Sequence, residues 1–385
     1  MFDVTEFDVT VFGVSKTDTL STPVSDHPSG GPMSPLATAP SPATSRARAE
    51  RAAEPPTAQR VVIRTRAEYE QVLRQLSEAS VARHFDAFVD VPWDDPDFQV
   101  RKDDPRWVLP AHADPIGAHP WYQALPLERQ IEIGLWRQAN VLKVGLQFEN
   151  VLIRAIMQYV FALPNGSPEY RYLSHEATEE CHHTQMFQEA VNRIGADVPG
   201  MPRALRALAP VLPMLVNSVP VIFFLGILAG EEPIDHTQKE ILRAAENLPP
   251  VLARVMAIHI AEEARHISFA HEAVKLRAPH LKPISRHLTA LVLPLLMRYL
   301  CDAIMVPPRE FWERFDIPEE VKNDLFWDSP QSQERLQNLF GDVRMLAEQS
   351  NLMTRASRKL WRKCKIDGPA SRYRSEPPPA FLSAA

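Results

Sequence analysis

The sequence predicts an all-α protein, a four-helix bundle core with additional flanking helices. Three observations carry this. Apolar residues recur at helical spacing through the middle of the chain. Neither strand-like alternation nor a Gly-rich phosphate loop stands out, which argues against Rossmann and P-loop chemistry. The third is a repeated phrase: Glu-Glu-x-x-His occurs at Glu179 to His183 and again at Glu262 to His266. In a helix, positions three apart lie only about 60° apart the short way round, so Glu180 and His183 share a face, as do Glu263 and His266. His259, four residues before Glu263 and seven before His266, extends the second face.

The composition limits the rest. With 45% hydrophobic and 23% charged residues the chain is that of an ordinary globular protein, and 36 Pro against 13 Gly points to Pro-rich segments outside the core. A net charge of -6 supplies no electrostatic reason for a nucleic-acid partner. Cys181, Cys301 and Cys364 are odd in number, widely spaced and without a CxxC pair. They indicate neither a disulfide framework nor a thiolate zinc site and fit a reducing, cytoplasmic setting. Residues 1–60 open with Phe2-Asp-Val-Thr and Phe7-Asp-Val-Thr and continue as a Ser, Thr, Pro, Ala and Gly mixture, which is expected to be disordered. Asp3, Glu6 and Asp8 at the start do not fit an export signal. The helical domain is expected over residues 61–365, followed by a disordered Pro-rich tail over 366–385.

Along the domain, Tyr69, Val72, Leu73, Leu76 and Val81 mark a first helix between Arg66 and Phe85. A Pro- and Trp-rich connector follows, in which Trp93, Trp107 and Trp121 read as braces on a helical core. Helices are expected from Leu127 to Ala139 and from Asn140 to about Leu163, the second nearly apolar but for Lys143, Glu149 and Arg154. A carboxylate there is either costly to bury or lies on an exposed stripe beside those cations. After the turn at Pro164 to Pro168 comes the helix with Glu176, Glu179, Glu180, His182 and His183, ending by Gly195. Residues 207–230 hold no charge over 24 positions. Pro210, Pro213 and Pro220 interrupt them, so a buried core element is expected there rather than a membrane span. That run should continue into a helix carrying Glu231 and Glu232, bent by Pro233. A helix from about Pro249 to Val274 bears the second motif, and further helices are expected at Arg286 to Ile304 and around Glu334 to Met353.

Spacing joins these pieces. Thirty-one residues separate Glu149 from Glu180, and 31 separate Glu232 from Glu263, so one offset of 83 maps Glu149, Glu180 and His183 onto Glu232, Glu263 and His266. A duplicated antiparallel helix pair would produce this. It selects Glu232 over Glu231, Glu180 over Glu179 and His183 over His182 as metal ligands. One Glu from each of two helices and Glu-x-x-His from each of two others is the inward-facing pattern of dinuclear iron or manganese carboxylate bundles. Carboxylates bridge hard cations, and imidazole suits iron. Four Glu balance two ferrous ions, and His259 adds a neutral seventh ligand. Glu179, Glu231 and Glu262 are left as hydrogen-bond partners of ligands or solvated groups, and Cys181 as a small buried or half-buried residue.

With His259-Ile-Ala-Glu-Glu-Ala-Arg-His266, Glu180-Cys-His-His-Thr-Gln-Met-Phe187 and Glu231-Glu-Pro-Ile-Asp235, the chain resembles the p-aminobenzoate N-oxygenase (AurF-type) family of diiron arylamine oxygenases. The added histidine is the specific part. The resemblance implies a cytoplasmic, homodimeric protein with a ferritin-like core. It implies two iron ions, or manganese, held by Glu149, Glu180, His183, Glu232, His259, Glu263 and His266. The implied activity is N-oxygenation of an arylamine by dioxygen through a peroxo-diferric species, with electrons from an unidentified donor. It also implies an arginine that holds the substrate, for which Arg298, Arg335 and Arg344 stand in the right region. A diiron hydroxylase of another small molecule and a non-catalytic ferritin-like iron binder are the alternatives. A membrane desaturase, which would need His-rich boxes, fits 13 His in the whole chain poorly.

Overall fold

The structure is a computed structural model that describes residues 64–244 and 248–374. Among them are helices and turns and no strand, an all-α fold of the ferritin-like kind. The segment 1–60, expected to be disordered, and the tail beyond 374 lie outside the described residues.

Six helices of 17 residues or more carry the fold: α1 (Arg66–Ala82), α2 (Leu127–Val160), α3 (Pro168–Ile194), α4 (Pro220–Ala244), α5 (Pro250–Arg277) and α6 (Pro283–Met305). Thr65 and Glu68 form a capping box that starts α1. Pro168 opens α3 at the first helical position, and Gly195, at φ 66°, ends it in the left-handed conformation. The short 161–167 connection makes α2 and α3 an antiparallel hairpin, and α4 and α5 form the second hairpin. The long crossover 195–219 joins the two. Outside this bundle α1 packs on α3 and α5, and α6 on α4.

Two expectations change. The break expected between Ala139 and Asn140 does not occur, because Asn140 caps no helix: buried, it accepts the amide of Gly200 at 3.0 Å from within a continuous α2. The apolar run 207–230 is not one buried element. Its prolines divide it into short turns, and Leu208, Val211, Leu212, Met214 and Leu215 face outward; only from Pro220 does it become the buried helix α4, which passes through Pro233. The stretch around 334–353 likewise forms two helices, Pro330–Asn338 and Gly341–Gln349. The first part of the tail is tied down, since Arg344 donates to the carbonyls of Ile366 and Pro369.

The apolar core comes in two pieces. One holds Leu152, Ile156, Tyr172, Leu173, Phe224 and Phe269. The other holds Ile131, Trp136, Phe187, Val191, Leu252 and Phe311, with Trp93 and Trp107 buried against it. On each bundle helix the boundary between the pieces falls at the acidic and imidazole residues: Glu149 on α2, 176–183 on α3, 231–238 on α4 and 259–266 on α5. A polar layer therefore crosses the bundle at mid-height.

Gly134 permits the close seat of the connector. A Cβ there would lie 1.8 Å from the carbonyl oxygen of Trp107. Because that neighbour is backbone and cannot swing aside, Gly134→Ala should lower stability by about 1–3 kcal/mol, as overpacking does, measured by chemical denaturation. An unchanged midpoint would mean the connector is not seated this way.

Candidate metal centre

The polar layer is a pair of overlapping donor clusters. Ligand-type atoms of Glu149, His183, His259 and Glu263 lie within 4.8 Å of one another, as do those of Glu180, Glu231, Glu263 and His266. Glu263 belongs to both. All these side chains are buried, Glu180, His183 and His266 completely. Each helix contributes through its heptad-like inward stripe: α3 presents Glu180 and His183, α5 presents His259, Glu263 and His266, and α2 and α4 present one Glu each.

Every imidazole points one nitrogen into the centre and has the other held from behind. His183 Nδ1 lies 3.1 Å from Glu180 and 3.5 Å from Glu263, while its Nε2 meets Glu262 at 2.9 Å. His266 Nδ1 lies 2.9 Å from Glu180 and its Nε2 meets Glu179 at 2.8 Å. His259 Nε2 lies 3.2 Å from Glu149 and 3.3 Å from Glu263, and its Nδ1 meets Gln238 at 2.8 Å. Partners on the outer nitrogen fix tautomer and ring orientation, the usual arrangement of metal-ligating histidines. The two hairpins are strapped reciprocally: Glu262 of α5 holds the histidine of α3, and Glu179 of α3 holds that of α5. Arg265 pairs with both acids, at 2.8 Å to Glu179 and 3.4 Å to Glu262.

The donor atoms fit a metal pair better than they fit one another. Glu149 Oε2, Glu180 Oε1, both oxygens of Glu231 and of Glu263, and His266 Nδ1 are buried with no hydrogen-bond partner. His266 Nδ1 and Glu180 Oε1 face each other at 2.9 Å without hydrogen-bond alignment, as two ligands of a shared ion would. Burial, reinforced by neighbouring carboxylates, pushes Glu149 and Glu231 well above the ordinary carboxyl range. His183 and His266 are pushed well above the ordinary imidazole value: burial opposes this, and the surrounding carboxylates outweigh it. His259 goes the other way, to about 4, by burial. Metal entry must displace the protons on His183 and His266, so binding tightens as pH rises.

Six of the seven residues expected as ligands meet here; Glu232 does not. It lies about 100° round α4 from Glu231 and points to His271 on α5, 2.5 Å away. Equal spacing misled because the second hairpin uses one residue more than the first between its paired acids, 32 from Glu231 to Glu263. Glu149 is buried, not on a stripe with its neighbours, since Lys143 is bonded to Gln188 and Arg154 to the carbonyl of Asn150. His182 lies away from the centre beside Asp86 and Ala87, and Cys181 is exposed rather than buried. Of the arginines, Arg298 is bound to Asp302 and the Cys364 carbonyl, and Arg344 to the tail. Gln238 and Arg265 were not singled out from the sequence. Gln238 stands seven residues after Glu231, a spacing that repeats the inward face of α4.

The choice between the adjacent acids is open to direct test. Titrated with Co²⁺, Glu231→Ala should lose the tight binding of one ion, whereas Glu232→Ala should keep both; the reverse result would restore the assignment made from spacing.

A family model described as P-aminobenzoate N-oxygenase AurF matches residues 66–351. Uncharacterized proteins of Mycobacterium tuberculosis (strains CDC 1551 and H37Rv) and Mycobacterium bovis are 59% identical over 319 residues, covering 83% of this chain and 94% of theirs. The matched span contains every residue of the buried Glu and His cluster, and the chain belongs to the p-aminobenzoate N-oxygenase AurF family of diiron-dependent oxygenases.

Proposed function

We propose that the protein binds two iron ions in this centre and uses dioxygen to oxidise the nitrogen of a small aromatic amine. The observation that supports the reading most is His259, which adds a third imidazole to a four-carboxylate centre and reaches across to Glu149 and His183. Two bound ferrous ions would supply electrons to reduce dioxygen, so that oxygen can be transferred to the amine. Glu263, shared by both clusters, would help hold both ions, with Glu149 contributing to one position and Glu231 to the other. Gln238 keeps the outer nitrogen of His259 engaged, and Glu179 and Glu262 do the same for His266 and His183. Phe187, whose ring centroid lies 5.1 Å from that of His259, helps keep water from this side of the centre. Repeated turnover would require an external electron donor. The three free cysteines agree with a cytoplasmic location.

Anaerobic loading with ferrous iron, then dioxygen with p-aminobenzoate, tests the reading. We expect two irons per chain by Mössbauer spectroscopy and oxygenated products of the amine by mass spectrometry. His259→Ala should alter the signal of one iron and leave the fold intact. Iron bound without oxidation of any arylamine would favour an iron-binding role, and a protein that takes up no iron would sink the proposal.

A homodimer is part of the same reading. Ile284, Leu288, Val292, Leu295 and Tyr299 form an exposed stripe on α6, about 22 Å long at helical rise, with relative exposures from 38% to 77%. One window of this helix is long and apolar enough to cross a membrane, but half of it is buried in the fold. A straight stripe of this kind can pair with its own copy about a two-fold axis. Leu288→Glu with Leu295→Glu should turn a dimer into a monomer by light scattering without changing metal content; a monomeric wild type would remove the dimer from the proposal.

A further inference from the structure

The duplicated centre has a position that the family pattern leaves unused. One turn before Glu263 stands His259; one turn before Glu180, at the same offset of 83 residues, stands Glu176. His259 does not serve its own hairpin alone. From α5 it crosses to Glu149 and His183, donors of the α2–α3 hairpin. The mirrored crossing, from α3, leads Glu176 toward Glu231 and His266.

The surroundings of Glu176 agree with that direction. It is fully buried, and neither carboxylate oxygen has a hydrogen-bond partner. Burial pushes its carboxyl up to about 8, with His266, Glu180 and Glu263 the charged groups acting on it, and Glu176 in turn acts on Glu231. These four groups together are the cluster Glu180, Glu231, Glu263 and His266. A carboxylate removed from water with only the Tyr172 hydroxyl, not aligned for a full hydrogen bond, beside it is expensive, and an acid placed there only to fill space would be replaced at lower cost by Leu or Met. Helical phase points it inward: 176, 180 and 183 on α3 repeat the spacing of 259, 263 and 266 on α5, all three of which reach the centre.

We propose that Glu176 is an eighth donor, a carboxylate that joins the metal position formed by Glu180, Glu231, Glu263 and His266. The proposal rests on the dinuclear reading above. It makes the two positions chemically different. One has a neutral imidazole as its added donor and the other an anionic oxygen, which suits a harder, more highly charged ion. Four carboxylates balance two divalent ions, and a fifth supplies the negative charge that favours oxidation of one of them to the trivalent state.

The test compares wild type, Glu176→Gln and Glu176→His, each checked for folding by circular dichroism. Co²⁺ titration reads affinity and coordination, and Mössbauer spectra of the iron-loaded proteins read the two positions separately. Glu176→Gln keeps the shape and removes the anionic donor; it should bind the second Co²⁺ about 10–100-fold more weakly and change one iron signal while sparing the other. Glu176→His, which offers the donor that His259 offers opposite, should recover the affinity with an altered spectrum. Should Glu176→Gln fail to fold, Glu176→His decides: tight two-metal binding with one changed iron signal supports the eighth donor, and unchanged spectra overturn it. Wild-type affinity and wild-type spectra in Glu176→Gln overturn the proposal while leaving the seven-donor centre standing. A wild type that binds fewer than two metals instead overturns the dinuclear reading itself.

Discussion

Seven carboxylates, Glu149, Glu176, Glu179, Glu180, Glu231, Glu262 and Glu263, meet in the middle of a helical core, with Arg265 and the imidazoles of His183 and His266 as the cations at hand. Each removed from water alone would cost several kcal/mol, or would hold its proton instead. The shifts divide the acids accordingly. Glu179 is held at about 2: burial pushes it up, and the bond to His266 with the charge of Arg265 outweighs that. Glu149, Glu176 and Glu231 are pushed up, because burial and the neighbouring carboxylates outweigh the imidazoles near them. Metal cations would offset that imbalance, since the candidate donor atoms already converge.

The same acids decide how the bundle is assembled. Two hairpins whose faces are apolar above and below the layer could slide or rotate against each other at small cost. The crossed pairs His183 with Glu262 and His266 with Glu179 remove that freedom, since a shift of one residue on either helix breaks both. Arg265, bonded to each acid, closes the arrangement. The tandem Glu in each Glu-Glu-x-x-His therefore has two separate tasks, the second Glu facing the centre and the first facing the histidine of the other hairpin.

Elements outside the bundle extend this restraint. The chain leaving α1 donates the amide of Phe85 to Glu262 at 3.2 Å, so the segment that covers α3 and α5 also holds an acid that positions His183. On α4, Gly230 is next to Glu231, and a Cβ there would meet the ring of Phe148, the neighbour of Glu149, at 2.0 Å. This close approach of α2 and α4 brings their two acids to the same layer. Below it, Arg277 pairs with Glu169 and the Tyr159 hydroxyl, keeping the far end of α5 against the α2–α3 turn.

The sequence by itself determined the helical class, the pairing of helices into two hairpins, and six of the seven residues whose donor atoms converge in the polar layer. Those follow from periodicity and from ligand types repeated at a fixed spacing, both of which are local or nearly so. Only the tertiary structure decided between Glu231 and Glu232. Neighbouring residues on a helix differ by about 100° in direction, and the phase of α4 depends on how it packs against α2 and α5, which no count along the chain contains. The continuity of α2 through Asn140 was hidden for a related reason, as that side chain bonds to a backbone sixty residues away. The crossed partners Glu179 and Glu262 lie in between: their presence was legible in the doubled Glu, and which histidine each one holds became visible only once α3 and α5 stood face to face.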